Sequence, residues 1–194
     1  MAWRPLLATL GPLLGLAGSL LLASGAARAQ SDEVSVKAAF LYRFIQFTEW
    51  PVPPSEPFVL CVLGHTPMDE ALSRLSGKAV LNGLRITVQH VQPRDPLSGC
   101  HALYLDDSQR RKAEELLPRL AGAPILTVTD SDGLADRGLM IELRKRDLKL
   151  GFDVNLQAVR SSGMSLSSRL LKLDRKSTRL NSSHGALSRM PSSA

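Results

Sequence analysis

The sequence is poor in the features that mark many enzymes and membrane proteins. Aromatic residues make up only 5% of its 194 residues, and it contains two cysteines. It has no glycine-rich phosphate loop, no dinucleotide-binding fingerprint and no Gly-x-Ser-x-Gly elbow. After the first thirty residues, no apolar run is long enough to span a membrane. These absences argue against nucleotide-dependent and hydrolytic enzymes, and the length suits a single domain.

The one long apolar run stands at the start of the chain. Arg4 precedes a leucine-rich stretch at residues 6–23, and Ala27-Arg28-Ala29 follows it. This order is typical of a secretory signal peptide, so we expect residues 1–29 to be removed after Ala29 and the mature protein to be exported. The alternative is an uncleaved membrane anchor, which is less favoured because glycine and proline interrupt the run.

The net charge of +6 does not indicate a nucleic-acid partner. Six of the 24 basic residues lie in the leader or the last twenty positions, which leaves 18 basic and 18 acidic residues in residues 30–174. A neutral domain lacks the positive surface that phosphate backbones require. We therefore predict that the protein does not bind nucleic acid.

Residues 174–194 differ in character from the segment before them. They are rich in serine and have no helical or strand-like apolar period. They also resemble translated adapter sequence, and the alternative is a natural disordered tail. We therefore place the folded domain at residues 30–173.

Cys61 and Cys100 are the two cysteines. Because disulfides form in exported proteins, a single disulfide is the leading expectation. Each residue also lies in an apolar, strand-like run, so two buried free thiols are the alternative.

Helical and strand-like segments alternate along the domain. Residues 31–50 form a helical pattern that Pro51 ends. Val36, Phe40, Phe44 and Phe47 share one face of it, and Ala39, Leu41 and Ile45 broaden that face. Strand-like runs at 57–64, 84–91, 100–105 and 124–130 alternate with helical segments, and 139–143 with 148–154 form a hairpin pattern. The order predicts a single α/β domain with a mostly parallel central sheet, an antiparallel hairpin at one edge and helices on both faces.

The polar residues give no catalytic or metal-binding pattern. His65, His90 and His101 lack the spacing of a metal site, so we interpret them as solvated or structural. Asp106 and Asp107 follow a strand where ligands bind in open α/β sheets, but acids there also cap the next helix, which we favour. We predict no catalytic residues, no metal ligands and no cofactor.

Six segments in series resemble the YfiR-like family of exported bacterial proteins over residues 34–173. They are "VKAAFLYRFIQFTEWP", "PFVLCVLG", "GCHALYL", "PILTVTDSDGLADRGLMIEL", "LKLGFDVN" and "MSLSSRLLKL". The resemblance implies a periplasmic regulator without enzymatic activity. Such a protein binds the periplasmic sensory domain of a membrane-anchored diguanylate cyclase and represses it, which lowers cyclic-di-GMP and restrains biofilm formation.

The resemblance also implies partners and a disulfide. An outer-membrane lipoprotein can sequester such repressors, and homodimers are typical. The positions of Cys61 and Cys100 are consistent with a family disulfide. Relatives can carry a second cysteine pair near the positions of Ala135 and Glu142, which this chain lacks.

For partner binding, the resemblance points to Asp153, Asn155 and Arg169. The alternative is that Asn155 caps the next helix and Arg169 is a solvated charge. A different function also stays open, namely a periplasmic small-ligand-binding module that acts with a sensor kinase or an outer-membrane receptor. An apolar pocket at the strand ends would favour that alternative.

Overall fold

The computed structural model describes residues 23–146 and 149–174. Most of the predicted signal peptide and nearly all of the unusual tail lie outside these residues. The predicted α/β architecture is confirmed: one domain is built on a mostly parallel sheet with helices.

The domain contains five α-helices and nine strands within the described residues. The helices are α1 (Ala23–Gln46), α2 (Asp69–Ser73), α3 (Arg110–Leu120), α4 (Leu156–Ser161) and α5 (Ser168–Asp174). The strands are β1 (Thr48–Glu49), β2 (Phe58–Leu63), β3 (Ala79–Val80), β4 (Leu84–Val91), β5 (Ala102–Leu105), β6 (Leu126–Thr129), β7 (Ile141–Arg146), β8 (Lys149–Val154) and β9 (Ser165–Leu166).

Seven strands form the central sheet in the order β3-β4-β2-β5-β6-β7-β8. The pairs from β4 through β7 are parallel, and β7 and β8 form the predicted antiparallel hairpin at one edge. Two antiparallel pairings were not predicted. β3 pairs with β4 at the other edge, and β1 pairs with β9 in a separate two-stranded sheet. Strands of two residues are too short for an alternating pattern to reveal them.

Two apolar cores lie on opposite faces of the sheet. Alternate residues of β2 divide between them, because Leu60 and Val62 join the first core while Cys61 and Leu63 join the second. Residues of α1, α2, α4 and α5 belong to the first core, and α3 covers the second. Among the described residues, no helix combines the length and hydrophobicity of a membrane span.

Helix α1 differs from its prediction in its start and in its buried face. Within the described residues it already runs from Ala23, ahead of the predicted start at Ser31, and alanines of high helix propensity precede Ser31. Its fully buried residues are Leu41, Phe44 and Ile45, whereas Val36 is 44% exposed. All three belong to the predicted face, whereas Val36 and Ala39 of that face are exposed.

Candidate partner-binding surface

The hairpin of β7 and β8 carries a chain of alternating charges. Glu142 and Asp153 are directly opposite each other across the two strands. Arg144 bridges them, with Nη2 at 2.8 Å from Glu142 Oε1 and Nε at 2.6 Å from Asp153 Oδ2. The Asp153 side chain is 26% exposed, so it borders solvent while it neutralises Arg144. Asp153 therefore has a structural role besides any contact with a partner.

The Glu142 carboxylate is fully buried and holds the loop before β7. Its Oε1 accepts a hydrogen bond from Gly133 N at 3.1 Å, and its Oε2 accepts one from Ala135 N at 2.9 Å. Buried carboxylates require such donors because an unpaired buried charge is very costly. A hydrogen bond thus joins Glu142 to Ala135, the two positions near which relatives can carry their second cysteine pair.

Asn155 follows β8 and begins α4. Its Oδ1 accepts from Ala158 N at 3.0 Å, and its Nδ2 donates to Ala135 O at 2.6 Å. The first bond is that of a helix N-cap, so the capping interpretation is confirmed. The second fixes the same loop that Glu142 holds. A role of Asn155 in partner binding stays a prediction.

Arg169 lies on α5 with an exposed side chain. Helix α5 contacts β8, so the three predicted binding residues belong to adjoining elements at one end of the sheet. Buried Leu170 of the same helix packs into the first core, which fixes the side of α5 that faces solvent. Of the three residues, Arg169 is the most exposed and has no structural role in the described contacts.

Cys61 and Cys100 form a disulfide, which was the leading expectation. Their Cα atoms are 5.7 Å apart, and the bond joins β2 to the segment just before the neighbouring strand β5, which begins at Ala102. Both residues are buried in the second core. The bond therefore links two strands under α3, on the face of the sheet opposite to α5.

A second polar cluster lies at the carboxyl ends of β5 and β6. Lys37 Nζ of α1 is 2.8 Å from Asp130 Oδ2 and 3.2 Å from Glu33 Oε1. Burial lowers the pKa of Lys37, but the hydrogen bonds and charges of Asp130 and Glu33 raise it overall above its ordinary value. Asp130 Oδ1 also accepts from Asp107 N at 2.8 Å. Lys37 thus attaches α1 to the sheet.

The remaining residues of this edge have structural partners. Asp106 caps the turn before α3 by accepting from Ser108 N at 2.9 Å, as predicted. Burial raises the pKa of Tyr104, and the charges of Asp130 and Asp106 raise it further. The phenol therefore stays protonated and donates to Asp106 Oδ2 at 3.3 Å.

The cleft beside this cluster is lined mainly by charged side chains, which form ion pairs with one another. Its lining residues are Glu33, Lys37, Asp130, Asp132, Leu143, Lys145 and Leu150. A ligand pocket is normally lined mostly by apolar groups. The cleft therefore lacks the apolar enclosure that would favour the small-ligand alternative.

The four histidines include one that is clearly structural. His101 Nδ1 accepts from Val59 N at 2.9 Å, and its ring stacks on Phe58 at 5.1 Å between centroids. Burial lowers the pKa of His101, so the ring is neutral and suited to accept this bond.

The structure brings together three side chains that sequence spacing did not connect. His65 and His90 each contact one carboxylate oxygen of Asp69, and their ring centroids are 4.6 Å apart. The pairing of β2 with β4 creates this proximity, because it sets Val62 opposite His90. Sequence spacing did not indicate this cluster, because 25 positions separate the two histidines.

A sequence profile of the YfiR/HmsC-like family matches residues 34–175, which is most of the chain. The chain belongs to the YfiR/HmsC-like family. The matched range coincides with the domain that the sequence resemblance delimited. This family is regulatory and non-enzymatic, and membership suggests a periplasmic regulator of diguanylate cyclase signalling.

Proposed function

We propose that this YfiR/HmsC-like protein binds the periplasmic sensory domain of a membrane-anchored diguanylate cyclase and represses the enzyme. Repression lowers cytoplasmic cyclic-di-GMP and restrains biofilm formation. Family membership over residues 34–175 carries the proposal. The buried Cys61–Cys100 disulfide is consistent with export to an oxidising compartment.

The contact surface in this proposal comprises Asp153, Asn155 and Arg169, at the end of β8 and on α5. Two of these residues maintain the local fold through Arg144 and the α4 cap. Arg169 is exposed, and an exposed guanidinium can form a bidentate ion pair with a carboxylate of a partner. The repressor acts as a homodimer, and an outer-membrane lipoprotein that sequesters it relieves repression.

The first experiment measures cyclic-di-GMP in the source bacterium with and without the gene. Loss of the gene should raise the nucleotide, and the exported protein supplied from a plasmid should lower it again. The same protein without residues 1–29 stays in the cytoplasm and should fail to restore repression. An unchanged nucleotide level after deletion would contradict the proposed cyclase partner.

A surface variant tests the contact residues separately. Arg169→Glu should weaken co-purification with the cyclase by at least about tenfold, because it replaces an ion pair with a like-charge repulsion. Arg111→Glu is the matched control, since Arg111 is exposed on α3 on the opposite face of the sheet. Equal binding by both variants would exclude Arg169 from the contact while leaving the function itself intact.

A further inference from the structure

His65, Asp69 and His90 form a compact group at the carboxyl ends of β2 and β4. His65 Nδ1 is 3.0 Å from Asp69 Oδ2, and His90 Nε2 is 3.1 Å from Asp69 Oδ1. One ligand atom from each residue lies within 4.8 Å of the others. From this geometry we propose that the three side chains bind Zn²⁺ or a similar late first-row divalent cation.

The donor set selects this class of metal. Two imidazole nitrogens with one carboxylate oxygen suit zinc and its neighbours, whereas magnesium and calcium prefer oxygen ligands alone. Zinc ligands lie about 2.0–2.2 Å from the ion, so neighbouring tetrahedral ligand atoms are about 3.3 Å apart. The contact of 3.0 Å between His65 Nδ1 and Asp69 Oδ2 is already close to that separation, and one nitrogen of His90 lies within 4.8 Å of the other two ligand atoms.

Asp69 is held in place by a residue outside the group. Its Oδ1 accepts hydrogen bonds from Thr66 N at 3.1 Å and from Thr66 Oγ1 at 3.2 Å. Oδ2, which lies 3.0 Å from His65 Nδ1, receives no bond from Thr66 and is the oxygen that would bind the ion. Such outer hydrogen bonds orient metal-binding carboxylates in known sites.

The histidines are positioned by the backbone of the sheet. Gly64 N donates to Val91 O at 2.9 Å, which closes the ends of β2 and β4 beside the group. Gly64 has a φ of 66°, a left-handed conformation that turns the chain toward His65. His65 O accepts from Gln109 Nε2 at 2.9 Å, so the backbone of this loop is fixed as well.

Binding requires no unusual protonation state. A carboxylate is ordinarily ionised at neutral pH, as metal binding requires. Each neutral imidazole can carry its proton on the nitrogen that faces away from the ion. The three protein ligands then leave a fourth position open to water or to a side chain of a partner.

The test is zinc titration of the purified protein, produced without a polyhistidine tag and stripped with EDTA. Calorimetry should show that one Zn²⁺ binds per chain. Co²⁺ bound in place of Zn²⁺ should show the visible absorption bands of a four-coordinate site with nitrogen ligands. Loss of a residue that only hydrogen-bonds to a metal ligand typically lowers metal affinity about 10–100-fold. His65→Ala and His90→Ala remove direct ligands, so each should weaken zinc binding by at least about tenfold. Zinc should raise the melting temperature of the wild type but not of these variants.

Glu70→Gln is the matched control, because Glu70 is an exposed acid next to Asp69 in the same helix. It should bind zinc like the wild type. All variants retain His184 of the C-terminal tail, so zinc binding by that histidine cannot produce a difference in affinity between the variants and the wild type. A wild type that takes up no zinc, or histidine variants that bind as tightly as the wild type, would overturn the proposal. These readouts do not depend on cyclase repression, so the two proposals fail separately.

Discussion

At the scale of single residues, Glu142 combines complete burial with several polar partners. Its fully buried carboxylate serves two backbone donors and Arg144 at once. A residue of this kind is fixed by the donors around it, since no apolar side chain could satisfy them. Helix caps such as Asn155 and Asp106 follow a simpler rule, because each serves one nearby backbone group.

Glu142→Ala should lower the free energy of unfolding by about 3 kcal/mol, because buried donors of the loop lose their acceptor. Glu142→Gln should cost less, since one oxygen remains. Glu115→Ala, an exposed acid on α3, should change stability by no more than about 0.5 kcal/mol. Urea unfolding measures all three. A loss for Glu142→Ala as small as that of Glu115→Ala would mean that the loop is not held by this carboxylate.

Lys37 gives a prediction for alkaline pH. Lys37→Met should cost about 2 kcal/mol at neutral pH, between the values of exposed and buried ion pairs. The pKa of Lys37 is raised in the folded protein, so its contribution is fully present below the ordinary value of 10.5 and is lost as the pH rises through the raised value. The stability difference between wild type and variant should therefore shrink only above that pH.

Denaturant unfolding across this pH range provides the measurement. Lys172→Met, an exposed lysine on α5, is the control and should show little difference at any pH. A Lys37→Met difference that stays constant through the alkaline range would contradict the proposed charge interaction with Asp130.

At the scale of elements, the disulfide is the strongest link between two parts of the sheet. It closes a loop with a sequence separation of 39 between Cys61 and Cys100. In the chain-entropy account, closing a loop of this length lowers the entropy of the unfolded chain and so raises its free energy by about 4 kcal/mol. The link acts on β2 and β5, which are neighbours at the centre of the sheet.

The double variant Cys61→Ala/Cys100→Ala should accordingly lose about 4 kcal/mol of unfolding free energy. A reductant should bring the wild type down to nearly the same value while leaving the variant unchanged. Guanidinium unfolding with and without reductant tests both statements. If the reductant lowered the stability of the variant as well, its effect could not be assigned to this bond.

At the scale of the whole molecule, export is the property on which the proposed function depends. We expect the periplasmic fraction to contain a protein whose first residue is Gln30, with Cys61 and Cys100 blocked against thiol reagents. Mass spectrometry of that fraction, with and without reduction, gives both answers. Recovery of a chain that retains residues 1–29 in the membrane fraction would favour the anchor instead.

Much of this fold could be read from the sequence because its main elements are long and periodic. The strand at Phe58–Leu63 is an uninterrupted apolar run, and the helix at Arg110–Leu120 has a regular buried stripe. The two-residue strands and the exact buried face of α1 could not be predicted from the sequence. Both depend on which surfaces meet after folding rather than on local pattern.

The sequence by itself predicted a leader, and it determined the alternation of strands and helices, the family and the two cysteines available for a disulfide. These properties reside in composition and local periodicity, so no tertiary contact was needed to see them. Tertiary structure alone decided that Glu142 holds the loop at Ala135, that Lys37 meets Asp130, and that His65 and His90 share Asp69. Strand register and helix packing create such contacts between distant residues, and neither is encoded in a short stretch of sequence.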